Sequence, residues 1–278
     1  MTINCKGNLL DLSTPRVMGI LNITPDSFYD GGKYKSETDI IAQVNTMLDN
    51  GATFIDVGAY SSRPGADHVD EEEELTRIIP IVKLLLKTFP DILLSIDTFR
   101  SRVADECLTL GAAIINDISA GNLDLNMLSI VGQHRAPYIM MHMKGIPSNM
   151  QDKTNYRDLL GDILYYFSEK VALARTFGIN DIIVDPGFGF AKTLAQNYEI
   201  LKKINLLHSL ELPILTGISR KSMIYKLLDT TASNALNGST ALHMYVLTNG
   251  SHILRVHDVK EAMECIRIYK AINAPHTL

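Results

Sequence analysis

Hydrophobic positions along the chain follow two alternating patterns. Short β-branched runs alternate with longer stretches in which apolar residues recur every three or four positions. The first pattern reads as strands buried on both faces, the second as helices with one apolar side. Residues 3–12 come first and read as a small hairpin turning at Lys6-Gly7-Asn8. Strands are then predicted at 17–22, 53–57, 92–97, 113–117, 137–141, 182–185, 213–218 and 252–257. Helices are predicted at 37–50, 70–89, 102–110, 125–132, 156–177, 194–207, 221–228, 239–248 and 259–272. Gly51, Gly111, Gly178 and Gly250 stand just past helices, the usual place of a left-handed cap. About eight strand–helix units alternate without a linker, a low-complexity tract or a shift in composition. The expectation is one α/β domain over residues 1–278, a (β/α)8 TIM barrel with a short N-terminal hairpin.

The run Ile182-Ile183-Val184-Asp185-Pro186-Gly187-Phe188-Gly189-Phe190 organises the rest. A buried strand stops where Pro186 removes a donor and the glycines permit a turn, which leaves Asp185 at a carboxyl strand end. Ligands bind at that edge of parallel α/β folds. The same design recurs: Asn22, Asp97, Asn116, Asp117, Met141, His142, Ser219, Lys221, Arg255 and His257 all fall at strand ends, with Ser61, Ser62 and Arg63 just after one. Residues two apart on a strand share a face, so Arg255 and His257 form a candidate anion clamp. The Arg220-Lys221-Ser222 run is expected to bring a helix N-terminus to the same mouth. Asp97, Asn116 and Asp185 suit the edge of a flat, nitrogen-rich ring; the competing reading is that each caps the following helix. The loops at 24–36, 59–69 and 144–155 are long for a barrel and read as lids or binding loops.

Composition narrows the partners. The net charge is −5 with basic residues scattered, which argues against nucleic acid or a membrane as the main partner. Cys5, Cys107 and Cys265 form neither a disulfide framework nor a metal spacing, and no leader or apolar span is visible. A cytoplasmic protein is expected. The acids at 71–74 open a helix, and Met140, Met141 and Met143 read as core.

Taken together, these motifs resemble the dihydropteroate synthase family from Met18 to about Ile266. The stretches that carry the resemblance are MGILNITPDSFYDGG (18–32), GATFIDVGAYSSRPGA (51–66), SIDTFR (95–100), GAAIINDISA (111–120), IMMHMKG (139–145), IIVDPGFGFAKTLAQNYEIL (182–201), LTGISRKSMI (215–224) and ILRVHDVKE (253–261). The resemblance implies a transferase of folate biosynthesis and a sulfonamide target. It would join 6-hydroxymethyl-7,8-dihydropterin diphosphate to 4-aminobenzoate with Mg2+, and work as a homodimer. It implies that Asp97, Asn116, Asp185 and Lys221 are catalytic and hold the pterin, with Ile118, Met141, Gly217 and Arg255 around it. Asn22 is similar to the family's Mg2+ contact. Asn22, Ser62, Arg63, Arg255 and His257 resemble diphosphate contacts. Phe28, Ser62, Pro64, Phe190, Ser219 and Lys221 resemble the aminobenzoate site.

Three positions depart from the family pattern: Tyr60 stands where Glu or Gln is common, Ser62 where Thr is usual, and Ala191 where Gly is common. A dissociative substitution at the pterin methylene fits the residues, with Asp185 steadying positive charge on the ring. A Schiff-base role for Lys221 is the lesser alternative. Two other functions compete: a methyltetrahydrofolate methyl transferase feeding a corrinoid protein, and a silent pterin-binding paralogue.

Overall fold

The computed structural model describes residues 1–23, 37–60 and 69–274. The segments 24–36, 61–68 and 275–278 lie outside the described residues, and with them Phe28, Ser62, Arg63 and Pro64.

The hairpin is present as β1 (Thr2–Cys5) and β2 (Asn8–Asp11), paired antiparallel. The barrel strands are β3 (Arg16–Asn22), β4 (Phe54–Gly58), β5 (Leu94–Asp97), β6 (Ile114–Asp117), β7 (Tyr138–Met141), β8 (Ile182–Asp185), β9 (Leu215–Thr216) and β10 (Ile253–Val256). They pair parallel in the order β8-β7-β6-β5-β4-β3-β10-β9, and a bridge between Val184 and Ile214 joins the two ends. The result is a nearly closed α/β TIM barrel with its helices outside.

Side-chain alternation sorts the strands into an outer and an inner face. Val17, Leu21, Ile55, Val57, Leu94, Ile96, Ile115, Tyr138, Met140, Ile182 and Val184 pack outward against the helices. Met18, Phe54, Ile114, Ile139, Ile183, Leu215 and Ile253 point inward as an apolar floor, joined by Ile3, Cys5 and Leu12 from the hairpin region. Two residues further along β4, β6, β8 and β10 the inner face turns polar, at Asp56, Asn116, Asp185 and Arg255.

Three predicted elements differ. The strand expected over 213–218 shrinks to Leu215–Thr216. Pro213 has no N–H to donate, so the barrel is closed there by a bridge rather than a ladder. The helix expected at 221–228 is one turn, Ser222–Tyr225. The helix expected at 194–207 ends at Lys202 and continues as a tighter 3-10 segment, Ile204–Leu210. The four acids at 71–74 do open a helix, Glu71–Thr88, where Asp70 accepts from the Glu73 N–H at 2.8 Å.

Candidate active site

Asp97, Asn116 and Asp185 are not helix caps. The helix after β5 (Ser101–Leu110) has Arg100 at its cap position and no side-chain cap, that after β6 (Met127–His134) has Asn126 there, and that after β8 is capped by Thr193 in a capping box with Gln196. The three polar groups are left to face the barrel mouth. Arg255 ties the first two together through Asp56: its Nε donates to Asp56 Oδ2 at 2.6 Å and its Nη2 to Asp97 Oδ2 at 2.6 Å. Asp56 Oδ2 also accepts from Asn116 Nδ2 at 3.0 Å, while its buried Oδ1 has no partner. On the opposite side, a Cβ added to Gly217 would lie 3.9 Å from both Asp185 Oδ2 and Lys221 Nζ and 4.0 Å from Arg255 Cβ. Two carboxylates, an amide, an ammonium and a guanidinium therefore surround one cup. Its apolar side is a separate cluster of Ile118, Met141, Met143, Met150 and Ala191, with Phe99, Leu123 and Phe190 packed against it.

Desolvation sets the electrostatics of this cup. Burial pushes the Asp97 and Asp185 carboxyls above the usual range, against the pull of Arg255 on the first and of Lys221 on the second. Burial pulls Lys221 down to about 8, with Asp185 opposing. The Lys221 ammonium reaches the Phe188 carbonyl at 2.5 Å and lies 4.9 Å over the Phe190 ring.

Other strand-end residues have different partners. Asp117 faces outward and accepts from Tyr138 Oη at 2.5 Å, Ser119 N at 2.7 Å and Gly121 N at 2.7 Å, so it anchors a turn. His142 also faces away, edge-on to Tyr166 at 4.9 Å. Arg220 forks onto Asp258 through two 2.8 Å bonds, and a one-turn helix has no appreciable dipole. The expected basic helix start at the mouth therefore reduces to Lys221. His257 is exposed, and its Nδ1 lies 3.1 Å from Ser219 Oγ, whereas the Arg255 head turns inward. Asn22 ends β3 opposite Gly58, half-buried. Tyr60 packs edge-on against Phe99 at 5.1 Å, with the Arg100 guanidinium over both rings.

Two residues were not visible as candidates in the sequence. Asp56 sits inside the apolar run Phe54-Ile55-Asp56-Val57-Gly58 and looks like a strand interior. Its signal was parity, since it shares the inward face with Phe54 and Gly58. Lys192 looked like a loop lysine, yet only 3% of it is exposed. Its Nζ contacts His142 Nδ1 at 3.0 Å and the carbonyls of His142 at 3.2 Å, Gly187 at 3.0 Å and Phe190 at 2.9 Å. The loop it enters is held throughout. The carbonyls of 187 to 191 accept in turn from Lys192, Lys221, Gln151, Lys192 and the Tyr156 hydroxyl. Gly187, at φ +71°, is obligatory: a Cβ there would meet the His142 carbonyl at 2.2 Å. Ala191 holds φ +49°, a left-handed position in which a glycine would be unstrained.

Comparison with known proteins shows the family. Residues 18–257 match the family described as pterin binding enzyme. The dihydropteroate synthase of Escherichia coli (strain K12) is 43% identical over 98% of this chain and 96% of its own length. That of Synechocystis is 44% identical over 92% of this chain and 89% of its own. The crystal structure of the Yersinia pestis dihydropteroate synthase with a sulfonamide drug complex superposes with a TM-score of 0.93, at 42% identity, covering 99% of this chain and 100% of that one. The Xanthomonas albilineans dihydropteroate synthase with 4-aminobenzoic acid gives 0.91 at 36% identity, covering 98% of each. The chain belongs to the pterin binding enzyme family and, within it, to the dihydropteroate synthases.

Proposed function

We propose that this transferase condenses 6-hydroxymethyl-7,8-dihydropterin diphosphate with 4-aminobenzoate, releasing 7,8-dihydropteroate and pyrophosphate in folate biosynthesis. The observation that carries the reading is the cup: Asp185 and the Lys221 donor meet at Gly217, and Asp97 and Asn116 are joined to the same cup through Arg255 and Asp56. A pterin edge carries N–H groups that need acceptors and a carbonyl that needs a donor, and this mixture supplies both.

The roles follow from position. Asp185 receives ring N–H groups and steadies positive charge that develops on the heterocycle as the diphosphate departs. Lys221 meets the ring carbonyl and stays within reach of Phe188 and Phe190. Arg255 lies across the cup with Asp56 and Asp97 beneath it, so its face covers the ring and its outer edge turns toward the departing anion. His257 and Ser219 stand together at the exposed mouth, where the diphosphate and the aminobenzoate carboxylate would lie. Phe190 walls the arylamine. The arylamine needs no strong base once the methylene carries positive charge, and the buried site supplies the low-dielectric surroundings in which fixed charges act strongly. Ser62, Arg63, Pro64 and Phe28 complete the proposed set by resemblance alone.

Among the described residues no cluster of three or more His, Cys, Asp or Glu could cage a metal ion. The Asn22 amide oxygen fits a more modest part. Mg2+ keeps several waters and is commonly held by one or two protein oxygens plus substrate phosphates. Asn22 would be that oxygen, and the ion would offset charge on the diphosphate.

No helix among the described residues is long and apolar enough to cross a membrane. Three free, buried cysteines suit a reducing cytoplasm. Tyr165, Leu173 and Phe177, exposed along one helix and its end, support a homodimer. The relationship to a sulfonamide-bound synthase supports the same class of inhibitor here.

The test is turnover with the pterin diphosphate, 4-aminobenzoate and Mg2+, read as stoichiometric pyrophosphate and dihydropteroate. A methyl transferase on the same barrel would release no pyrophosphate, and a silent paralogue would bind the pterin without turning it over.

A further inference from the structure

Lys192 is a buried lysine that the proposed chemistry does not use; burial pulls its ammonium down to about 7, with Asp185 opposing. Its ammonium lies behind the 187–191 loop, on the side away from the cup, among four acceptors drawn from two segments of the chain. Three carbonyl oxygens converging on one point repel each other unless an N–H donor sits between them, so the loop shape and the lysine depend on each other. The positive φ angles of Gly187, Gly189 and Ala191, at +71°, +84° and +49°, belong to the same local geometry. His142 completes the cage. Burial and the charges of Lys192 and Lys144 hold its imidazole neutral, so its Nδ1 lone pair is available to accept. On its front the loop offers the Phe188 carbonyl to Lys221 and sets the Phe190 ring 4.9 Å from that ammonium. At its far end Asn197 Oδ1 accepts from the Gly189 N–H at 2.7 Å.

We propose that Lys192 is a positioning residue that sets the arylamine subsite from behind, fixing Phe190 and the Phe188 carbonyl without touching either substrate. The 187–191 loop is thus a rigid shelf organised around its own buried lysine. The part of this inference that concerns the arylamine rests on the reading of Phe190 as a wall of that subsite; the part that concerns loop order does not.

Three measurements test it. In Lys192→Met the ammonium is gone and the volume is nearly kept. The KM for 4-aminobenzoate is expected to rise about tenfold or more, equivalent to ~1.4 kcal/mol. Affinity for the pterin diphosphate, measured by calorimetry, should change much less. In Lys192→Ala, added propylammonium should restore part of the lost arylamine affinity, which a purely structural role would not allow; this arm also serves if the Met variant folds poorly. Amide hydrogen exchange at residues 187–191 should accelerate in either variant while the barrel strands stay protected. An unchanged arylamine KM, or equal losses for both substrates with no amine rescue, overturns the proposal. Unchanged exchange at 187–191 overturns it whatever the substrates are. A wild-type enzyme that releases no pyrophosphate while the exchange result holds would remove the functional reading and keep the shelf.

Discussion

Asn116 Nδ2 donates to Asp56 Oδ2 at 3.0 Å, and this bond fixes which way round the amide sits. A carboxylate paired with Arg255 only accepts, so Asn116 must turn a nitrogen toward it and present Oδ1, with one remaining N–H, to the cup. The polarity of a cup-facing group is thereby set by a residue one layer of contacts away. Exchanging the two residues tests this. Asp56→Asn with Asn116→Asp keeps an amide-to-carboxylate bond and an acceptor for Arg255, so thermal stability should stay near wild type. The cup would then keep an acceptor at 116 but lose the one N–H beside it and gain a negative charge next to Asp97 and Asp185. Pterin-diphosphate affinity should fall at least about tenfold, the scale of a lost hydrogen bond near charge. Calorimetry that finds the wild-type affinity in the exchanged protein would remove the polarity argument.

Arg255 joins two carboxylates that would otherwise face each other without a cation between them. Asp56 is wholly buried, and Asp97 is partly open to the mouth. Arg255→Ala leaves Asp56 with Asn116 alone. The expected cost is about 3 kcal/mol of stability, the range seen when one partner of a buried pair is removed. Weaker binding of the pterin diphosphate should accompany it. Urea unfolding and calorimetry read the two effects separately, and retention of full affinity would take Arg255 out of the binding site.

Asp185 accepts from the Gly187 N–H at 2.8 Å through Oδ1, a bond that an amide oxygen can also accept. Asp185→Asn should therefore fold normally. It loses the negative charge opposite the ring, and turnover should drop by about 100-fold or more. Near-normal turnover in a folded Asn variant would leave Asp185 with a structural part only.

Lys221 loses its proton at about 8 because it is desolvated, with Asp185 pulling the other way. Below that pH it is charged and above it neutral, so pterin affinity should decline as the pH rises through about 8. Lys221→Arg keeps its charge and should flatten that decline. The linkage to stability has the opposite sign. An unfolded lysine still holds its proton up to about 10.4, so between roughly 8 and 10.4 the unfolded chain binds more protons than the folded one. The ligand-free wild type should gain stability with pH across that window relative to Lys221→Met. Parallel melting curves of the two proteins check the sign.

Barrel strands buried on both faces leave a clear mark in sequence, because each apolar run must end where a polar group can reach the mouth. Asp97, Asn116, Asp185 and Arg255 were legible for that reason. Distinguishing them from neighbours such as Asp117 and His142 needed the strand parity as well as the position. Arg220 was misplaced because a basic run before a helix looks the same whether it faces a ligand or, as here, a single aspartate. Pro213 made the seventh barrel strand shorter than its apolar run suggested. Asp56 and Lys192 escaped because their partners lie far away in sequence: Asp56 is 199 positions from Arg255, and Lys192 is 50 from His142. No local pattern encodes such pairs.

Ile3, Cys5 and Leu12 stopper the end of the cylinder opposite the mouth, against Phe54, Ile139 and Ile253. Among the described residues that leaves the mouth as the way in and out. Two reactants come in by it and two products go out. Whichever molecule is seated deepest has to arrive first and leave last, so the order of events in each turnover is dictated by architecture before affinity is considered.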